Sequence, residues 1–191
     1  KGVRTFRFTQ RQLDIFAETE AQKVRSLCPA GICFDCITDS DTLSITFESD
    51  HGAREWIFFD LYIDNILSAH QGFPGIEEGT ETVNFELPTG SAQKRVTLYF
   101  PHCRLMTIDS LKLQKGSNVE PAPEPEKKCL CLGDSITQGM DSKFPSLTYP
   151  VQISRFFNMQ LLNQGIGGHV FEKKTLDEEI PFEPEDRKSV V

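Results

Sequence analysis

Cys129-Leu130-Cys131-Leu132-Gly133-Asp134-Ser135-Ile136-Thr137-Gln138-Gly139 and, further on, Met159-Gln160-Leu161-Leu162-Asn163-Gln164-Gly165-Ile166-Gly167-Gly168-His169 are the stretches on which the fold turns. Each is a short apolar run that ends in a polar, glycine-bearing loop. A compact apolar run ending in glycine suits a buried parallel strand. Between them, Thr148-Tyr149-Pro150-Val151-Gln152-Ile153-Ser154-Arg155-Phe156-Phe157 reads as a helix. Thr148 stands at the cap, and Pro150 falls in the first turn, where its missing N–H costs nothing. Val151, Ile153, Phe156 and Phe157 are expected to pack inward. Strand, helix, strand is a right-handed crossover unit of an α/β sheet. Both loops then leave the same carboxyl edge, where open α/β sheets bind ligands.

The loop residues suggest a chemistry. A serine just past a strand end, flanked by glycine, can point its hydroxyl into a cleft. A second glycine-rich loop beside it can aim backbone N–H groups at the same point. That arrangement suits a nucleophile next to an oxyanion hole. The first loop is not a G-x-S-x-G elbow, because the position two after Ser135 is Thr137. It is not a phosphate loop, since no Gly-Lys-Ser/Thr follows. Gly165-Ile166-Gly167 begins like a dinucleotide fingerprint, but the third glycine position is Val170.

Upstream, the composition shifts at Lys115–Lys128, where Pro121, Pro123 and Pro125 alternate with other residues. Such a segment is extended and semi-rigid. It reads as a linker, giving a first domain over 1–115, a linker over 116–128 and a second domain over 129–191. Strand signals dominate the first domain: Val3–Phe8, Ile32–Thr38, Thr42–Phe47, Glu55–Ile63, Glu81–Leu87, Arg95–Phe100 and Leu105–Leu113. Thr42–Phe47 alternates polar and apolar, the period of a half-buried strand. Turn residues separate the runs, as at Thr38–Asp41, Ser49–Gly52, Pro74-Gly75 and Pro88–Ser91. Short strands at this spacing predict an antiparallel β-sandwich or jelly roll. Thr9 caps a short helix over Gln10–Phe16, with Leu13 and Phe16 on one side. No internal repeat is apparent.

The chain has 191 residues, 38% apolar and 25% charged, which excludes a mostly disordered chain. No apolar run is long enough to span a membrane. The net charge of −8, without a basic cluster, argues against nucleic-acid or anionic-membrane partners. Fifteen Phe, against three Tyr and one Trp, suggest well-filled cores. Cys28, Cys33 and Cys36 have the C-x4-C-x2-C spacing of plant-type iron–sulfur proteins. On a strand, however, Cys33 and Cys36 face opposite sides. Cys129 and Cys131 are expected on one side of their strand. The six cysteines therefore read as small buried hydrophobes, with no metal and no cofactor expected. Their use favours a reducing, cytoplasmic compartment. A leader removed before Lys1 would instead make the protein secreted.

Gly133–Gly139 resembles the first sequence block of the SGNH (GDSL-type) hydrolases, and Asn163-x-Gly165-x-x-Gly168 resembles their second. Ala30–Ser40 is similar to the jelly-roll domain that precedes the catalytic domain in one subgroup, which includes carbohydrate esterases. The resemblance implies a partial flavodoxin-like α/β domain after a jelly roll, and serine hydrolysis of an ester through an acyl-enzyme. By position it implies Ser135 as nucleophile, with the N–H groups of Ser135 and Gly168 as oxyanion donors. Asp134 would brace the loop, and Gly133, Asn163 and Gly165 would support it. It also implies acylated, often acetylated, sugars as substrates.

Two further blocks of that family are missing from this chain: a Gly-x-Asn-Asp segment and an Asp-x-x-His segment carrying the base. After Phe182–Glu185 a third strand is expected, and the chain reads Asp186-Arg187-Lys188-Ser189-Val190-Val191 instead. Truncation of the catalytic domain is the expectation, with little or no turnover. His51, His70 and His102 read as surface or structural residues of the first domain, and His169 as a residue of the cleft. An incomplete sheet leaves an edge uncovered, so a homodimer through that edge is a further expectation. The alternative is a carbohydrate-binding module in which Trp56 and Tyr62 stack on sugars; for Trp56, core filling is the ordinary use.

Overall fold

The computed structural model describes residues 2–75, 77–90, 92–170, 172–176, 179–180 and 182. The expected third-strand region, 183–191, lies outside the described residues.

The alternation in Thr42–Phe47 becomes a strand with Leu43, Ile45 and Phe47 wholly buried on one face. That strand, β2 (Thr42–Gly52), is the centre of a three-stranded sheet between β5 (Gly79–Glu86) and β7 (Arg104–Leu113). A five-stranded sheet holds β1 (Cys33–Thr38), β3 (Ile57–Ile63), β4 (Ile66–Phe73), β6 (Lys94–Tyr99) and β8 (Val119–Pro121), in the order β4-β3-β6-β1-β8. All pairings in both sheets are antiparallel. The sheets share one core. Phe47 and Phe85 from the smaller sheet meet Phe59, Leu61, Val96 and Leu98 from the larger, and Phe47 and Phe59 lie 5.2 Å apart between ring centres.

Several expectations need adjusting. Val3–Phe8 is not a strand: among the described residues only Val3 bridges, to Ile108. Arg7 and Phe8 are both buried, because this arm binds its neighbours through side chains. β4 was not anticipated; its side chains are half-buried or exposed, so it shows little apolar period. Its hairpin turns at Asp64-Asn65, both with positive φ, a pair that fits a tight two-residue turn. Val119–Pro121, inside the proline-rich segment, pairs with β1 as an edge strand, where proline is tolerated. A second helix, α2 (Glu20–Leu27), follows α1 (Gln10–Phe16). The expected cap of α1 is present, with Thr9 and Gln12 forming a capping box.

The second style of structure follows the proline-rich segment. β9 (Lys127–Gly133) and β10 (Met159–Gly165) form a parallel pair that aligns Gly133 with Gly165. Between them come α3 (Ser135–Gln138), a single 3₁₀ turn at Pro145–Leu147, and α4 (Tyr149–Phe156). The Thr148 side chain does not cap α4; its hydroxyl donates to the Pro145 carbonyl instead. The inward face of α4 is also narrower than expected. Val151 is buried, but Phe156 is 83% exposed and Phe157 56%. The helix lies against β10, with Val151 packed among Tyr62, Tyr99 and Leu161. The molecule is thus mostly β-sheet with a few short helices.

Candidate active site

Ser135 opens α3 immediately after β9. The Asp134 carboxylate accepts from the Ile136 N–H at 2.9 Å, and Gly139 closes the single turn with a left-handed backbone. Among the described residues the Ser135 hydroxyl has no hydrogen-bond partner, and its N–H has no acceptor. The second loop is tied to the first by hydrogen bonds. Ile166 N–H donates to the Gly133 carbonyl (3.0 Å), and the Asn163 amide donates to the Thr137 carbonyl (2.8 Å) while accepting from Gly165 N–H (2.9 Å). A Cβ on Gly165 would lie 2.4 Å from the Gln138 nitrogen, so only glycine lets the loops approach this closely. Gly133, Asp134, Ser135, Asn163, Gly165 and Gly168 therefore belong to one pair of neighbouring loops at one sheet edge. The hydroxyls of Thr137 and Tyr149 meet at 2.8 Å behind α3, and burial pushes the Tyr149 phenol up.

The residues that hold this edge were not all legible in sequence. Gln138, fully buried, accepts from Gly167 N–H at 2.8 Å and donates to the carbonyls of Arg25 and His102. Arg7, 3% exposed, donates to the carbonyls of Cys28, Asn163, Gly165 and Arg25, at 2.7 to 2.9 Å. Burial lowers its pKa to about 10. Arg25, from the last turn of α2, donates to the Gly167 carbonyl at 2.8 Å. No local signal marks these contacts, because the partners are main-chain groups 18 to 158 residues away. Gln138 was the one within reach, being part of the first loop.

The histidines divide sharply. His51 contacts Asp50 at 2.6 Å on the surface. His70 lies within β4, contacts the wholly buried Asp60 at 2.6 Å and stacks on Phe144. Asp60 also accepts from Ser146 N–H, so this pair pins the loop before α4 to the larger sheet. His102 is buried, and its Nε2 lies 2.8 Å from the Gly139 carbonyl and 2.9 Å from the Ser142 carbonyl. Both partners are acceptors, so Nε2 carries the hydrogen. Nδ1 is buried without a partner among the described residues, and desolvation lowers the ring pKa to about 4. His169, the histidine expected at the cleft, is half-buried. Its Nε2 lies 3.2 Å from the Thr175 hydroxyl and its ring meets Phe16 edge-on. Burial lowers its pKa.

The cysteines are free thiols. Cys33 packs with Tyr62 and Tyr99, while Cys36 sits in the core between the sheets, so the two face opposite sides as the strand period requires. Burial raises Cys28, Cys33 and Cys131 to about 12 and Cys36 to about 11, and raises Cys103 as well. Cys129 and Cys131 share a side of β9, with sulfurs 3.7 Å apart. Among the described residues, the atoms with metal-ligand spacing are those of Asp50, His51 and Glu78, an exposed surface group remote in sequence from both loops.

The aromatic residues expected to stack on sugars are not presented for it. Tyr62 is 7% exposed, donates to the Ser146 hydroxyl and lies under the Arg155 guanidinium at 3.5 Å. Trp56 is half-buried, outside the main core, with its indole N–H buried and unpaired among the described residues. A cleft of about 420 Å³ opens elsewhere, among Asp35, Arg95, Thr97, Tyr99, Arg155 and the 121–125 segment. It meets β10 at Met159–Leu161, the end opposite Gly165.

No family model and no curated protein matches the sequence. Solved structures do. The salicylyl-acyltransferase SsfX3 of a tetracycline biosynthetic pathway is 18% identical, with TM-score 0.71, over 85% of this chain and 46% of its own. A GDSL-like lipase from Bacteroides ovatus is 19% identical, with TM-score 0.68, over 84% and 51%. A family two carbohydrate esterase from Clostridium thermocellum, solved with cellohexaose, is 16% identical, with TM-score 0.57, over 74% and 46%. The chain thus spans about half the length of these proteins and shares the fold of that half. The fold is one that this acyltransferase, this lipase and this carbohydrate esterase have in common. Among the described residues no helix is long and apolar enough to cross a membrane.

Proposed function

We propose that this chain carries the nucleophile-bearing part of an SGNH-type serine esterase or acyltransferase. In this reading residues 1–115 are a jelly-roll domain, 116–128 a connecting segment and 129–191 the first part of an α/β catalytic domain. Ser135 is the nucleophile, and the N–H groups of Ser135 and Gly168 are oxyanion donors. The observation that carries the reading is the parallel alignment of Gly133 with Gly165. That register supports the reading because the loop after β9, which carries Ser135, and the loop after β10, which carries Gly167-Gly168, leave the same carboxyl edge, where open α/β sheets bind ligands.

The chemistry follows from that placement. The Ser135 oxygen attacks the ester carbonyl carbon, and the carbonyl oxygen takes on negative charge that the N–H donors stabilise. Collapse expels the alcohol and leaves an acyl-serine. Water, or an acceptor alcohol in a transferase, then takes the acyl group. A base must remove the serine proton. His51, His70 and His102 are each held elsewhere, and His169 faces Thr175 and Phe16. In this reading the base is a group outside the described residues. Little turnover is expected from this chain alone. Acylated sugars are the proposed substrates, supported by the carbohydrate esterases among the structural relatives.

The test is treatment with a fluorophosphonate, read by mass spectrometry, alongside hydrolysis of 4-nitrophenyl acetate, with Ser135→Ala as control. An adduct on Ser135, with weak hydrolysis that the substitution abolishes, is expected. No adduct, together with hydrolysis indifferent to Ser135→Ala, would falsify the reading.

A further inference from the structure

The peptide between Gly167 and Gly168 is gripped at its carbonyl by a residue of the other part of the molecule. Arg25 Nη1 donates to the Gly167 carbonyl at 2.8 Å, and the N–H of Gly167 is held by Gln138 at 2.8 Å. In a trans peptide the carbonyl and the following N–H point in opposite directions, and no peptide in the described chain is cis. Fixing the Gly167 oxygen on Arg25 therefore directs the Gly168 N–H away from α2. That N–H has no acceptor among the described residues, and Gly168 is exposed. Gly168 has φ +72°, a backbone that favours glycine, and a Cβ there would come 3.1 Å from Arg25 Nη1 and crowd the guanidinium.

Arg25 is well placed for this. It is half-buried, and among the described residues no carboxylate pairs with it, so its charge is not neutralised locally. A charged donor on a carbonyl also polarises the peptide and strengthens its N–H as a donor. The Arg25 main-chain carbonyl meanwhile accepts from Arg7 and Gln138, which ties the end of α2 to both loops.

We infer that Arg25 is a positioning residue: it orients and polarises the Gly167–Gly168 peptide so that the Gly168 N–H serves the reaction at Ser135. The role in the reaction rests on the proposed serine chemistry; the orientation of the peptide does not. It makes the segment before the first sheet a working part of the site, since removing it would leave this peptide free to turn over.

The experiment uses the whole chain and two readouts. The first is the ¹³C shift of the Gly167 carbonyl and the ¹⁵N shift of Gly168, compared between wild type, Arg25→Met and Arg25→Lys. The second is the rate of Ser135 phosphonylation by a fluorophosphonate. Arg25→Met is expected to shift both nuclei, leave the amides of β2 and β3 in place, and slow phosphonylation by about ten-fold or more, part of the 10²–10³ that one oxyanion donor supplies. Arg25→Lys, which keeps the stem and the charge, is expected to recover part of both effects. Unchanged Gly167 and Gly168 shifts in Arg25→Met overturn the inference whatever the rate does. Shifts that move while phosphonylation stays at the wild-type rate overturn the role in the reaction. If wild type is not phosphonylated at all, the serine reading fails and the shifts alone decide the orientation. Should Arg25→Met not fold, the same directions must appear, smaller, in Arg25→Lys.

Discussion

The two antiparallel sheets and the parallel strand pair are held in different ways. The sheets enclose their own core, in which Phe47, Phe59 and Phe85 are almost wholly buried. Among the described residues the strand pair has no apolar cluster to itself. Ile166 is buried against Phe8 of the arm and Phe16 of α1, and Val151 against Tyr62 and Tyr99 of the larger sheet. What holds it otherwise is polar and directional: Arg7 on the Asn163 and Gly165 carbonyls, Gln138 on the second loop, His102 on the turn after α3, and Asp60 on Ser146. An apolar core tolerates small displacements. Hydrogen bonds to main-chain carbonyls do not, so the candidate site takes its geometry from the part of the molecule that carries no reacting group.

The contrast can be broken or sharpened by substitution. Phe59→Ala should have the largest effect, about 4 kcal/mol by the usual cost of removing a buried Phe. Urea unfolding should show both parts lost together, since the strand pair has no core to fall back on. Persistence of the parallel pair after the sheets unfold would break the comparison.

Acid should come next. In the unfolded chain His102 takes up a proton near pH 6.5, while the folded chain keeps the ring neutral to about pH 4, because a charged ring would bury an Nδ1–H with no acceptor. The unfolded state binds more protons in that window. Stability therefore falls as pH drops from 6.5 towards 4, by about 3 kcal/mol in all, and levels off below. Chemical denaturation at pH 7 and pH 4.5 should show this slope in wild type and a shallower one in His102→Gln. Equal slopes would remove His102 as its source.

Arg7→Met should cost about 2 kcal/mol, by loss of charge-assisted bonds to carbonyls that then need water. The loss should be regional. Amide exchange in β10 should speed up by about thirty-fold, the equivalent of that energy, while the amides of β2 keep their protection. Uniform acceleration would mean that the arm supports the whole fold. Phe156→Ser should do least, within about 0.5 kcal/mol, because the ring lies in solvent. A larger loss, read as a fall in Tm, would show that Phe156 is covered in solution.

Sequence legibility follows the same divide. β2, β3 and β6 were readable because each shows an apolar face at period two or a continuous apolar run. β4 was not, because its side chains bury little. The two loops were readable because glycine is needed where backbones approach and where φ is positive, a local demand that leaves a local mark. Arg7 and Arg25 left no mark, since a guanidinium that serves a distant carbonyl looks like any surface arginine. The expected inward packing of Phe156 and Phe157 failed for a related reason: helical spacing says which residues share a face, not whether anything lies against it.

By itself, then, the sequence determined the period of the strands, the capping of α1, the opposite faces of Cys33 and Cys36, and the two glycine-bearing loops at neighbouring strand ends. These depend on contacts within a few residues, where backbone sterics and side-chain period act. The tertiary structure alone decided that Arg25 grips the Gly167 carbonyl, that His102 is buried neutral under α3, and that His169 turns to Thr175 and Phe16. Those outcomes depend on which surfaces meet across the chain, and a buried polar group must take whatever partner that meeting supplies.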